Sequence, residues 1–120
     1  MRNILVVDDF GPFRLVVREM LERDGFRVVG EAADGLGAID AVRTLRPDVV
    51  LLDVHLPGDD GFVICERLQG LATVPDIVLT SSRDVASFRR RLRTSAARGF
   101  ISKADLTSAA LVALLEPKAQ

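Results

Sequence analysis

The chain has no Trp and no Tyr, and only 6 Phe, so its interior must be filled mostly by aliphatic side chains. Cys65 is the single cysteine, which leaves no disulfide framework and fits a reducing compartment. Charge of neither sign is in excess. With 16 basic and 17 acidic residues the net charge is −1, so no strong field draws the chain to nucleic acid or an anionic membrane. Long apolar runs are missing too: no stretch could span a bilayer and none reads as a secretory signal. What remains is 120 residues, 48% hydrophobic and 28% charged, enough for one soluble domain with a real core. The expectation is a single domain over residues 1–120, cytoplasmic, with no second domain in this chain.

Short apolar runs alternate with longer amphipathic stretches. ILVV at 4–7 reads as a buried strand, and Gly11-Pro12 then opens a helix whose stripe is Phe13, Val17, Met20 and Leu21. Residues 26–29 read as a second strand, and residues 35–45 as a helix on Leu36, Ile39, Val42 and Leu45. VVLLD at 49–53 is β-branched and apolar up to its last residue. Residues 57–61 form a turn cluster, and Ile64, Cys65, Leu68 and Leu71 a third helical stripe. Residues 77–79 read as a strand; Val85, Phe88 and Leu92 as a short helix; residues 99–102 as a fifth strand. Leu106, Ala110, Ala113 and Leu114 mark a last helix, capped by Asp105 or Thr107. Five strand-then-helix units predict a parallel sheet covered on both faces.

Asp8 and Asp9 follow the first strand and Asp53 ends the third. Thr80, with Ser81 beside it, ends the fourth, and Lys103 follows the fifth. Ligands of open α/β sheets bind beyond these carboxyl ends, so the five positions converge if strand one lies beside strand three. Glu31 closes the second strand and is left outside this set. Clustered carboxylates repel by roughly 4 kcal/mol per pair at about 4 Å and an effective dielectric near 20, so a cation must offset them. Hard oxygen donors point to Mg²⁺. Lys103 adds a mobile point charge suited to a phosphoryl oxygen, and a carboxylate can itself accept a phosphoryl group. Asp53, central and single, is the best nucleophile; Asp8 and Asp9 read as metal ligands.

The segments VVDD at 6–9, EAADG at 31–35, DVVLLDVHLPGDDG at 48–61, IVLTS at 77–81 and GFISK at 99–103 resemble, in order and over essentially the whole chain, the response-regulator receiver domains of bacterial two-component signalling. The likeness is greatest to receivers joined to helix-turn-helix output domains. It implies a flavodoxin-like (CheY-like) three-layer sandwich, its five-stranded parallel sheet of order 2-1-3-4-5 flanked by five helices. It implies Asp53 as phosphoacceptor, Asp8, Asp9, Asp53 and the backbone carbonyl of His55 around Mg²⁺, Thr80 as switch hydroxyl, Phe100 as switch aromatic and Lys103 as the phosphoryl-binding lysine. Ser81 takes the hydroxyl role if the extra residue between Thr80 and Lys103 lies outside the loop 94–97. His55 occupies a position that in this family tunes phosphoryl lifetime. The family pattern often has Pro after the lysine, where this chain has Ala104. The implied partner is a sensor histidine kinase or phosphotransfer protein. The fourth helix, fifth strand and fifth helix offer a homodimer face, and no contact with nucleic acid or membrane is expected.

A phosphohydrolase with an aspartyl intermediate is the enzymatic rival. It wants a D-x-D motif where Asp8 and Asp9 are adjacent, and a substrate cap for which there is no room, so the chain is expected to catalyse only its own phosphorylation and dephosphorylation. The alternative within the fold is a receiver-like interaction module that works independently of phosphorylation, which the intact acidic site argues against. Two further signals take plain readings. Arg89-Arg90-Arg91-Leu92-Arg93 is a solvated helix face or partner contact, and Gly35-Leu36-Gly37 a turn and helix start.

Overall fold

Alternate residues of a strand face opposite sides of a sheet, and in the first strand both sides are apolar. Ile4 and Val6 enter one core, Leu5 and Val7 the other. The structure, a computed structural model, describes residues 2–117; residue 1 and residues 118–120 of the expected domain lie outside the described residues. Its main sheet is built from β1 (Asn3–Val7), β2 (Arg27–Ala32), β3 (Val49–Asp53), β4 (Asp76–Ser81) and β5 (Gly99–Ser102). All neighbours are parallel, in the order β2-β1-β3-β4-β5. The helices are α1 (Gly11–Arg23), α2 (Gly35–Leu45), α3 (Gly61–Leu68), α4 (Arg89–Thr94) and α5 (Ser108–Leu115). Val17 and Leu21 of α1 pack with Leu111 and Leu115 of α5 on one face, against Ile4, Val49 and Leu51. Val42 of α2, Ile64, Cys65 and Leu68 of α3 and the ring of Phe88 cover the other. The expected flavodoxin-like architecture and strand order are those observed.

Several boundaries differ from the sequence reading, each for a local reason. β2 begins after Phe26 and runs on to Ala32, because its register with β1 carries from Asn3 opposite Arg27 to Val7 opposite Ala32. The apolar run stops at Val29, and Glu31, which reads as the strand's close, falls one residue short of the observed end. Phe26 instead fills the α1–α5 core, its N–H donating to the Leu21 carbonyl at 2.9 Å. β4 extends through Thr80 and Ser81, which pair with β5. The turn cluster after β3 holds a short antiparallel ribbon, His55–Leu56 against Asp59–Asp60, closed by Gly58 at φ +68°. The fourth helix is interrupted. Val85–Ser87 form a 3₁₀ turn capped by the Asp84 carboxylate on the Ala86 N–H, Phe88 turns its ring inward, and only then does the arginine-rich α4 begin. α5 is apolar almost all round, so periodicity could not choose its buried face. Leu111 and Leu115 are buried, Leu106 precedes the helix, and Thr107 is the cap.

Among the described glycines, Gly61 is the one whose side-chain position is closed off by neighbouring backbone most tightly. A Cβ there would collide with the Asp53 carbonyl oxygen and lie 2.6 Å from the Val54 Cα, while the Gly61 N–H already donates to the Val54 carbonyl at 2.7 Å. Both neighbours are backbone and cannot step aside. Gly61→Ala is therefore expected to destabilise the protein by about 2–3 kcal/mol, at the upper end of overpacking costs. Urea denaturation would check it, and a change below about 0.5 kcal/mol would refute it.

Candidate functional site

Parallel register lines up the polar strand ends. Val7 pairs with Leu52, Asp53 with Thr80, and Ser81 with Ser102, so each strand delivers its next residues to one edge. Asp8 continues the ladder by donating its N–H to the Ala32 carbonyl at 3.0 Å. Its Oδ1 accepts from the Phe10 N–H at 2.9 Å, a local turn that fixes the carboxylate. Asp8 is wholly buried and Asp53 nearly so, whereas Asp9 is exposed. One oxygen from each of the three lies within 4.8 Å of the others. Such an all-oxygen donor set fits a hard divalent cation.

Lys103 reaches into this cluster from the turn after β5. Its Nζ lies 2.6 Å from Asp8 Oδ2 and 3.1 Å from Asp53 Oδ2, while Asp53 Oδ1 accepts from the His55 N–H at 3.0 Å. Burial pushes the Asp53 carboxyl up. Hydrogen bonds from His55 and Lys103 pull it down and the Asp8 charge pushes it up again, leaving it above its ordinary value. Burial acts to lower Lys103, but its hydrogen bonds to Asp8 and Asp53 outweigh that and hold it above the usual lysine value. The peptide bond into Ala104 is trans.

Thr80 and Ser81 are both buried, yet they differ. Ser81 Oγ accepts from the Arg83 N–H at 3.0 Å, whereas Thr80 Oγ1 has no hydrogen-bond partner among the described residues. An unmatched buried hydroxyl is costly, and Thr80 shares that condition with Ser108. Phe100 is half-buried, one element away, with its ring centroid 6.0 Å from that of Phe88. Phe88 also contacts His55 at 5.5 Å and Phe62 at 6.1 Å, so an aromatic group joins the loop after β3 to the start of α4. Arg91 strengthens that junction, pairing with Asp60 at 2.9 Å over the ring of Phe62.

Glu31, outside the set of polar strand ends expected from the sequence, lies at the rim of the site. Its carboxylate accepts from Arg14 Nε at 2.9 Å and Arg18 Nε at 2.8 Å, while Arg14 Nη1 donates to the Asp8 carbonyl at 2.6 Å. The i, i+4 spacing of Arg14 and Arg18 was the available signal. Burial acts to raise the Glu31 carboxyl, but the hydrogen bonds and charges of the two arginines prevail and lower it. A carboxylate with a lowered folded-state pKa adds stability above its ordinary value of 4.5 and loses it as pH falls through the folded value. Glu31→Gln is expected to cost roughly 0.5–1 kcal/mol near pH 7, a partly exposed pair. The gap to wild type should close as pH falls below 4.5 and through the folded value, which urea denaturation at neutral and at acid pH would reveal.

Comparison with known proteins agrees with this geometry. Residues 4–116 match the family described as the response regulator receiver domain. A Pseudomonas aeruginosa protein named as a transcriptional regulator is 37% identical over 113 residues, 94% of this chain and 55% of that protein. The chain thus spans about half the length of the curated relatives it matches. Among solved structures, a two-component response regulator of the LuxR family from Aurantimonas is 27% identical with TM-score 0.85, covering 100% of this chain and 89% of that one. The BeF3-activated N-terminal receiver domain of Klebsiella pneumoniae RstA is 32% identical with TM-score 0.78, covering 94% of each. With the sheet order, the acidic strand ends and a family match over nearly the full length in agreement, this chain belongs to the response regulator receiver domains of two-component signalling.

Proposed function

We propose that the chain is a phosphorylation-controlled switch in which Asp53 accepts a phosphoryl group from a phosphohistidine on a sensor histidine kinase or phosphotransfer protein. The observation that carries this reading is the single ammonium of Lys103 shared by two buried carboxylates, Asp8 and Asp53, at the strand ends. An oxygen of Asp53 forms the new O–P bond as the donor's N–P bond breaks and the imidazole leaves. Asp8, Asp9, Asp53 and the His55 carbonyl would hold Mg²⁺. When bound, that ion supplies positive charge to the carboxylates and the phosphoryl oxygens.

Lys103 then transfers its grip from Asp53 Oδ2 to a phosphoryl oxygen. Thr80, whose Oγ1 has no partner among the described residues, donates to another and draws the end of β4 inward. Ser81 is the weaker candidate, since its Oγ already serves the Arg83 N–H. Thr80 pairs with Ile101, the residue after Phe100, and Phe100 lies against Phe88 at the start of α4, so movement at the end of β4 passes to the α4–β5–α5 face and changes its partners. That face is the proposed homodimer surface. The domain itself contacts neither nucleic acid nor membrane, works in the cytoplasm, and catalyses only its own phosphorylation and dephosphorylation. No helix among the described residues is long and apolar enough to cross a membrane. Because relatives are named as transcriptional regulators, control of a DNA-binding output is the proposed use.

Intact mass after incubation with acetyl phosphate tests the reading. One phosphoryl adduct is expected with Mg²⁺ and none without it. No adduct at a saturating metal concentration would overturn the switch in favour of an interaction module independent of phosphorylation.

A further inference from the structure

Three groups surround the Lys103 ammonium, and one of them has no place in the chemistry above. Besides Asp8 Oδ2 and Asp53 Oδ2, Nζ lies 4.5 Å from the ring centroid of Phe13, on the first turn of α1. That distance is well inside the range of cation–π attraction. We propose that Phe13 is a positioning residue for phosphoryl transfer to Asp53, acting through Lys103. The proposal rests on the reading of Asp53 as acceptor.

The carboxylates cannot hold the ammonium throughout the reaction. Asp53 Oδ2 changes its bonding when Asp53 is phosphorylated, and Asp8 is shared with whatever cation enters the acidic cluster. The ring of Phe13 carries no charge and takes no part in either event, so its attraction for the ammonium persists across them. Lys103 needs such a constraint, because its four-carbon stem is flexible and its side chain is 21% exposed. Phe13 is itself anchored. It is partly buried and packs against the α1–α5 core, and the Gly11-Pro12 helix start sets it directly behind the Asp8–Asp9 turn. Phe10, the residue that caps α1, is 60% exposed, and among the described residues no cation lies over its ring. The Phe13 ring thus keeps the ammonium over the space where the phosphoryl oxygens arrive.

Phe13→Leu keeps most of the apolar volume and removes the π face, while Phe13→Tyr keeps the face. Phosphorylation by acetyl phosphate is expected to slow about three- to tenfold in the leucine variant and to stay near wild type in the tyrosine variant. In a Lys103→Met background, the added Phe13→Leu should change the rate no further. An equal slowing in that background would assign Phe13 a merely structural role and overturn the proposal. A second measurement needs neither metal nor phosphoryl donor. The Lys103 ε-methylene protons should be shifted upfield by the ring in the NMR spectrum of the wild type, and Phe13→Leu should abolish the shift. An unshifted wild-type resonance would refute the contact itself. Absence of any adduct in wild type with the shift present would instead count against Asp53 as acceptor.

Discussion

Asp53→Asn is expected to abolish the phosphoryl adduct and yet to leave the protein folded and slightly more stable. The loss of adduct follows from chemistry, since an amide oxygen is no match for a carboxylate as nucleophile. The gain in stability follows from burial. Asp53 is 4% exposed, and burial is the largest influence on its carboxyl, which stands above its ordinary value of 3.8. A carboxylate with a raised folded-state pKa makes stability fall as pH climbs from the unfolded to the folded value, and the deficit persists above both. Asparagine removes that deficit along with the repulsion from Asp8. Lys103 keeps its ion pair with Asp8 at 2.6 Å, and the His55 N–H keeps an acceptor in the amide oxygen. The gain should reach up to about 1 kcal/mol near pH 7. Intact mass and urea denaturation of the variant check both halves. A surviving adduct would move the acceptor elsewhere, and a clear destabilisation would mean that the ion pair outweighs the burial of Asp53.

Lys103→Ala is expected to act in the opposite sense on stability. It would strand Asp8, wholly buried, and Asp53 without a counter-charge. Two carboxylates about 4 Å apart repel by roughly 4 kcal/mol at an effective dielectric near 20. Protonation of one of them relieves part of this, so a loss of about 2–4 kcal/mol is expected near pH 7 in the absence of divalent cations. Lys103 is held above its ordinary 10.5, so its contribution is fully present below that value and is lost only as pH rises through the folded one. Acidification should narrow the gap from the other side, by protonating Asp53, whose carboxyl already stands above its ordinary value. Removing a resident cation also removes a competitor, so Mg²⁺ should bind about tenfold more tightly and restore much of the stability. The chain has no Trp or Tyr, so calorimetric titration is the suitable measurement. Unchanged stability together with unchanged Mg²⁺ affinity would rule out Lys103 as the balancing charge of this cluster.

Much of this domain was legible along the chain because its signals are local. β3 is apolar from Val49 to Leu52 and ends in a lone carboxylate, so its extent and the place of Asp53 were both readable. Asp8, Asp9, Thr80 and Lys103 stood at strand ends for the same reason, and parallel pairing in the order β2-β1-β3-β4-β5 brought those ends to one edge. Less legible were elements whose form depends on a partner. The apolar run of β2 stops at Val29 while the strand runs on to Ala32, because pairing with β1 rather than its own pattern sets its length. The fourth helix read as continuous, because nothing local says that Phe88 will leave the helical path to join the rings of His55, Phe62 and Phe100.

The sequence by itself determined the family, the parallel α/β class and the residue types at the strand ends, since strand periodicity and terminal polarity are properties of consecutive residues. Only the tertiary structure decided that, of Thr80 and Ser81, it is Thr80 whose hydroxyl has no partner among the described residues. It alone placed the Phe13 ring against Lys103, clamped Glu31 between Arg14 and Arg18, and latched Arg91 to Asp60. Those outcomes depend on distances between groups far apart in the chain. Such distances are set by sheet register and helix docking, which no single segment encodes.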